Sequence, residues 1–296
     1  MCGLPQLTEG YLTIDASDAG VILDGSQLPR PSFITGLEIV GSDGNTIRGL
    51  QVMNFTGTGL VIADGRNNTI GGDRNIGLGP TGQGNLTSDN DFGIGIWSSA
   101  PNNVVTGNVV GTDVSGTGDR GNQASGLWVT EGGANNVLGP DNIVAYNDRC
   151  GVEVDGFDTL GNTLTRNSIH DNGRTGICLF KGGNRIFGAP LFLGFDAALG
   201  SVTGTSCVGC TVELFSDSGA EGAVFEGQAV ADSDGLFTIA NVSPATVDLH
   251  CWLPGGATGI CSQRSGGTRG ATAPHWPYAA DLEMQGSSDA TRSAPP

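Results

Sequence analysis

The chain has 296 residues, enough for one or two domains with a sizeable core. Glycine is abundant at 51, aromatic residues make up only 6%, and the formal net charge is −17. So acidic a chain excludes an electrostatic nucleic-acid or anionic-membrane partner and repels a polyanionic glycan unless a divalent cation intervenes; no apolar run is long enough to predict a membrane span.

Met1-Cys2-Gly3 passes quickly into strand-like sequence at Tyr11 to Ile14 and Val21 to Leu23. No signal peptide is legible, and no segment reads as the cap that usually covers a solenoid's first coil. The expectation is a fragment or trimmed chain. A lipid anchor on Cys2 would need an apolar leader that does not precede it.

From there a unit recurs. Asn45, Asn68, Asn103, Asn136, Asn162 and Asn184 each precede a short apolar-bearing triplet. Gly36, Gly59, Gly93, Gly126, Gly151 and Gly176 each open an alternating segment, and the two series interleave. A third segment lies between them, clearest at Leu50 to Val52, Val109-Val110, Ile143-Val144 and Ser168-Ile169. Three short strands per repeat predict a three-sided coil. Alternation sorts the Gly-anchored strands by face. Leu37/Ile39, Leu60/Ile62, Ile94/Ile96, Leu127/Val129, Val152/Val154 and Ile177/Leu179 form the inward file. Ile47, Ile70, Val105, Leu138, Leu164 and Ile186 join it from the Asn-anchored strands. The six Asn are expected to stack as a structural amide ladder. Long insertions at about 71–92 and 111–125 are both expected between the middle and Gly-anchored strands, rising as one wall.

Residues 36–187 resemble the right-handed parallel β-helix proteins of the pectate-lyase-like superfamily. Gly107-Asn108-Val109-Val110-Gly111-Thr112-Asp113 and Asn167-Ser168-Ile169-His170-Asp171-Asn172-Gly173 are similar to its repeat consensus. The resemblance implies an all-β chain, a right-handed three-sided parallel β-helix. It implies no single activity, because that fold hosts lyases, hydrolases, epimerases and adhesins. The paired-aspartate and Gly-His-Gly signatures of polygalacturonase-like enzymes are absent. Asp155-Gly156-Phe157-Asp158 only partly echoes the alginate-epimerase motif.

After about residue 200 strands come at sandwich spacing: Thr211 to Ser216, Phe225 to Ala231, Leu236 to Ala240 and Thr246 to Trp252. Asp232-Ser233-Asp234-Gly235-Leu236-Phe237 resembles the turn of small transthyretin-like or carboxypeptidase-regulatory-like β-sandwiches. It reads as a hairpin turn or, alternatively, a calcium ligand set. The expected domains are a β-helix over 1–199, a small antiparallel β-sandwich over 200–263, and a linker and tail over 264–296. Cys207-x-x-Cys210 with Cys251 and Cys261 offers zinc-like spacing; a Cys251–Cys261 bridge is the alternative in an oxidising compartment. Cys150 and Cys178 sit at different offsets in their coils and are expected to be unpaired.

Chemistry is expected on the outward side of the Gly-anchored strands. One column reads Glu38, Val61, Gly95, Trp128, Glu153, Cys178; the next reads Val40, Ala63, Trp97, Thr130, Asp155, Phe180. At about 4.8 Å between coils, Trp97, Trp128, Glu153, Asp155 and Phe180 share one patch. Indole faces stack on sugar faces, and carboxylates bind hydroxyls or metal. In the family resembled, the corresponding strand face forms the glycan groove. Glu153 and Asp155, roughly 6.5–7 Å apart along a strand, would suit an inverting hydrolase. Alternatively they hold calcium while Arg149 or Arg174 abstracts a proton beside a uronate carboxylate; Lys181 and His170 are lesser candidates. Plain ion pairs of Arg149 with Asp148 and Arg174 with Asp171 are the bland alternative. Asp73, Asp89, Asp91, Asp113 and Asp119 on the insertions are further calcium candidates. Two functions stay open: a secreted or cell-surface protein acting on a polysaccharide as a lyase or hydrolase, and a non-catalytic structural or adhesion module.

Overall fold

Short β-branched segments punctuated by Gly and Asn cannot bury both faces alone; they do so by stacking. The computed structural model describes residues 4–29, 32–185, 190–217 and 221–242, and the backbone of 247–253 and 257–261. All fall within one contact unit, Met1–Ser265. Three six-stranded parallel sheets form the walls of a solenoid. The Gly-anchored sheet contains Leu37–Val40, Thr58–Ala63, Phe92–Trp97, Leu127–Val129, Val152–Asp155 and Ile177–Phe180. The Asn-anchored sheet runs from Thr13–Asp15 through Thr46–Arg48, Thr69–Gly71, Val104–Thr106 and Val137–Leu138 to Thr163–Leu164. The middle sheet runs from Ile22–Asp24 through Gln51–Met53, Leu86–Ser88, Val109–Val110 and Ile143–Ala145 to Ser168–His170. No helix among the described residues is long and apolar enough to cross a membrane.

The interior file is as expected. Leu37, Leu60, Ile94, Leu127, Val152 and Ile177 are consecutive register partners. All six belong to one buried cluster with Ile39, Ile62, Ile96, Val129 and Val154. Full burial of such a side chain contributes about 1.5–3 kcal/mol, so the file supplies much of the driving force. Ile186 lies outside the described residues.

Each corner of the coil carries an amide ladder. In the first, the backbone N–H of Asn45, Asn68, Asn103, Asn136 and Asn162 donates to the side-chain oxygen of the next coil's Asn, ending at Asn184. Two further ladders run in parallel: Asn85, Asn108, Asn142 and Asn167, and Asn90, Asn122, Asn147 and Asn172. At corners where the chain leaves its sheets, the ladders supply partners that buried backbone groups would otherwise lack.

The first insertion is not where sequence placed it. Leu86–Ser88 is the middle strand of its coil, pairing with Gln51–Met53 and Val109–Val110. Residues 72–85 therefore leave the coil one corner earlier and lean on the turn near Ser17, where Gly79 N donates to Ser17 O. Only the 111–126 excursion precedes a Gly-anchored strand. The two insertions occupy different corners and form no common wall.

From Leu191 the strands are antiparallel. Leu191–Asp196, Ser201–Thr205 and Leu236–Ile239 form one small sheet; Thr211–Ser216, Val224–Val230, Val247–Leu253 and Ala257–Cys261 form another. Val202, Val212, Leu214, Phe237 and Ile239 share a single apolar cluster. Cys207 and Cys210 are joined as a disulfide, so those thiols are not zinc ligands. The Asp232 turn closes on itself, its carboxylate accepting from the N–H groups of Asp234 and Leu236. The Cys251 and Cys261 side chains lie outside the described residues.

Two glutamates from this segment finish the solenoid. Glu213 accepts from Thr165 Oγ1 and, at 3.0 Å, from Arg166 N. Glu221 takes the place of the next Asn in the third ladder, accepting Asn172 N at 3.1 Å and Asn172 Nδ2 at 2.8 Å. Burial pushes the Glu221 carboxyl above its ordinary value; the Asn172 donors oppose this, and Asp217 and Asp171 add to it. A carboxyl raised in the folded state binds more protons there than in the unfolded chain. Stability therefore falls as pH rises from the ordinary glutamate range through the raised value. We expect urea midpoints of Glu221→Gln to drop less than wild type over pH 4 to 7. Parallel pH profiles for the two proteins would contradict this.

Candidate functional site

The outward face of the Gly-anchored sheet is ordered by a diagonal. At the entry to each strand a corner residue precedes the anchoring glycine: Thr58, Phe92, Ser125 and Cys150. Strict alternation from Gly93 would send Phe92 inward with Ile94. The register is constant through this corner, with Thr58 opposite Phe92 and Leu60 opposite Ile94, yet Phe92 turns outward, where its ring lies against Trp128. Each corner residue meets the outward strand residue of the next coil. The Thr58 methyl would lie 3.3 Å from a Cβ on Gly95. Phe92 stacks on Trp128, with ring centroids 4.4 Å apart and planes 16° apart. Ser125 Oγ donates to Glu153 Oε2 at 2.5 Å. Cys150 forms a disulfide with Cys178, Cα to Cα 6.1 Å. The last contact corrects the expectation of two unpaired thiols. Their different offsets are what bring them together, because a corner position reaches diagonally across to a strand position one coil on.

The aromatic part of this face is a ledge. A Cβ on Gly95 would come within 2.5 Å of Trp97 Cζ3, so the missing side chain admits the indole of Trp97. Trp97 and Trp128 are 5.6 Å apart at 59°. Phe92, Trp128 and Trp97 thus run side by side, each partly exposed. The Trp128 Nε1 donor is buried without a partner among the described residues.

Glu153 continues the Trp128 column but is only 5% exposed. Ser125 covers it, and Arg149 Nη2 lies 3.7 Å from its Oε2. Arg149 therefore faces Glu153 and not Asp148. Asp91, at the same corner, is pushed above the ordinary aspartate range by burial, with the charge of Arg149 opposing the shift. Sequence placed Asp91 only among possible calcium ligands of an insertion; its proximity to Arg149 depends on the corner, which alternation does not describe.

Asp155 lies one step further along the strand, register partner of Phe180. Lys181 Nζ holds its Oδ2 at 3.0 Å, while Oδ1 is buried without a partner among the described residues. Arg174 is exposed and takes part in no ion pair among the described residues; Asp171 instead pairs with His170, on the middle sheet. The structure thus brings together Trp97, Trp128, Glu153 and Arg149, with Asp155, Phe180 and Lys181 beside them, and leaves Arg174 and His170 outside the cluster.

These residues do not fit a calcium ion. Glu153 and Asp155 each face a cation of the protein itself. Asp89 is paired with Arg120, and Asp113 accepts from Ser115 and Gly118. Among the described residues no three His, Cys, Asp or Glu side chains converge as a cation cage.

A family model described as a right handed beta helix region matches residues 35–213. No curated protein matches the chain. Among solved structures, the enzymatically active domain of bacteriophage CBA120 tailspike protein 2 is similar over 88% of this chain, with 11% identity and a TM-score of 0.24. The alignment spans 56% of that domain.

Proposed function

This chain belongs to the right-handed β-helix family, and from that premise we propose that it is a glycan-binding protein of the secreted or cell-surface kind. The observation that carries the reading is the Phe92–Trp128–Trp97 ledge, a contiguous aromatic surface on the outer side of one sheet. Aromatic rings offer apolar faces to the C–H faces of sugars, and the carboxylate and lysine alongside offer partners for hydroxyls. The pectate-lyase-like resemblance of the repeats supports the same face. The net charge of −17 favours a neutral polysaccharide over a polyuronate. Two disulfides suit an oxidising compartment.

Binding is favoured over catalysis because Glu153 is covered and Asp155 is engaged by Lys181. A hydrolase reading rests on Asp91, whose raised carboxyl suits a general acid. Affinity electrophoresis in gels containing dextran, glucomannan, xylan or polygalacturonate separates the possibilities. We expect retardation by a neutral polymer, lost in Trp128→Ala, with no new reducing ends. Reducing ends that vanish in Asp91→Asn would support the hydrolase. Retardation by none of the four polymers, or by polygalacturonate alone, would overturn the proposal.

A further inference from the structure

A second polar cleft lies on a different wall. It is lined by Gly72, Asp73, Arg74, Asn75, Thr106 and Asp141, with a volume of about 420 Å³. Three features make it a built recess. First, the outward column of the Asn-anchored sheet reads Gly71, Thr106, Gly139 over three successive coils, so Thr106 stands between two positions without side chains. Those glycines tolerate nothing larger: a Cβ on Gly71 would sit 1.9 Å from Thr106 O, and one on Gly139 1.9 Å from Thr165 O. Second, the 72–85 insertion forms one side and is braced at its base. Asp73 N donates to Gln83 Oε1, Gln83 N donates to Asp73 O, and Asn75 donates twice to Asp73 Oδ1. Third, the Arg74 stem packs over Gly84, where a Cβ would meet its Cγ at 2.9 Å.

Arg74 is the unexplained group. Its Nη1 is buried and has no hydrogen-bond partner among the described residues. Asp73 and Asp141 act on it only through their charge, without a hydrogen bond. A buried guanidinium donor without an acceptor is unfavourable because its desolvation goes uncompensated, and an oxygen entering the cleft would relieve that. One cation and two carboxylates leave the recess net negative, so the entering group is not an anion. Hydroxyl groups satisfy both signs, accepting from Arg74 and donating to Asp73 and Asp141.

We propose that this cleft binds a single neutral, hydroxyl-rich sugar residue, as a carbohydrate site separate from the aromatic ledge. It does not depend on the ledge binding anything. The test uses saturation-transfer NMR on the full chain carrying Trp128→Ala, which removes the central ring of the ledge. The probes are methyl glycosides of glucose, mannose and galactose, N-acetylglucosamine, and glucuronate. Transfer to at least one neutral sugar is expected. It should fall about tenfold when Arg74→Met, which keeps the apolar stem, is added. Asp141→Asn should also weaken it. No transfer to any neutral sugar, equal transfer after Arg74→Met, or stronger transfer to glucuronate would each overturn the proposal.

Discussion

Asn103→Ala is expected to lower the unfolding free energy by about 3–5 kcal/mol. The side chain is fully buried and joins three coils. Its oxygen accepts Asn68 N at 2.8 Å and Asn68 Nδ2 at 3.1 Å; its Nδ2 donates to Gly65 O at 2.9 Å and to Asn136 Oδ1 at 3.1 Å. Truncation leaves these partners away from water. Against the 5–15 kcal/mol that typically separates a folded domain from its unfolded chain, the loss is large. Asn103→Asp should be worse still at neutral pH, because the second oxygen would face two other oxygens. Urea unfolding followed by far-ultraviolet circular dichroism checks both. A loss below about 1 kcal/mol in Asn103→Ala would mean that the corner ladders merely accompany the stacked aliphatic core.

Gly95→Ala should act on binding and leave the scaffold almost intact. The added methyl meets Trp97 Cζ3 at 2.5 Å, the far end of a ring that can swing. The aliphatics on the inner side of the same strand, Ile94 and Ile96, are untouched. Trp97 is expected to tilt away from Trp128 and break the ledge. Aromatic contacts of this kind carry about 0.5–1.5 kcal/mol, so affinity for the retarding polysaccharide should drop by about two- to tenfold. The thermal midpoint should shift by only a few degrees. Calorimetric titration and a melting curve on the same sample test this; unchanged affinity would remove Trp97 from the binding surface.

Much of the scaffold was legible because the repeat is short and its side-chain period is two. The interior file and both outward columns follow from counting along Gly-anchored segments, and the register pairs Trp128 with Glu153 and Asp155 with Phe180 as counting requires. Counting failed at corners. There the chain turns from one sheet into the next, and period two no longer says which way a side chain points. Phe92, Ser125 and Cys150 all sit at that position. One diagonal contact accounts for the unforeseen aromatic stack, the cover on Glu153 and the unforeseen disulfide. The misplaced first insertion had an available signal. Asn85 precedes Leu86 as Asn108 precedes Val109 and Asn142 precedes Ile143. That second Asn series marks the middle strand and would have put the insertion ahead of it.

The candidate site was only partly legible for a different reason. Composition and alternation place carboxylates on a surface but do not say what covers them. Glu153 reads as an exposed acid in sequence and proves nearly inaccessible, because Ser125 and Arg149 arrive from other parts of the coil. Arg74 gave no sequence signal at all: its importance lies in an unsatisfied donor above a glycine floor contributed by separate coils.

The most direct measurement is a crystal structure of the chain with an oligosaccharide of the neutral polymer that retards it most. A sugar ring packed about 4 Å from the exposed faces of Trp97, Trp128 or Phe92, with hydroxyls reaching toward Asp155 or Lys181, is the predicted result. Saccharide bound elsewhere on the solenoid, with these three rings bare, would contradict it.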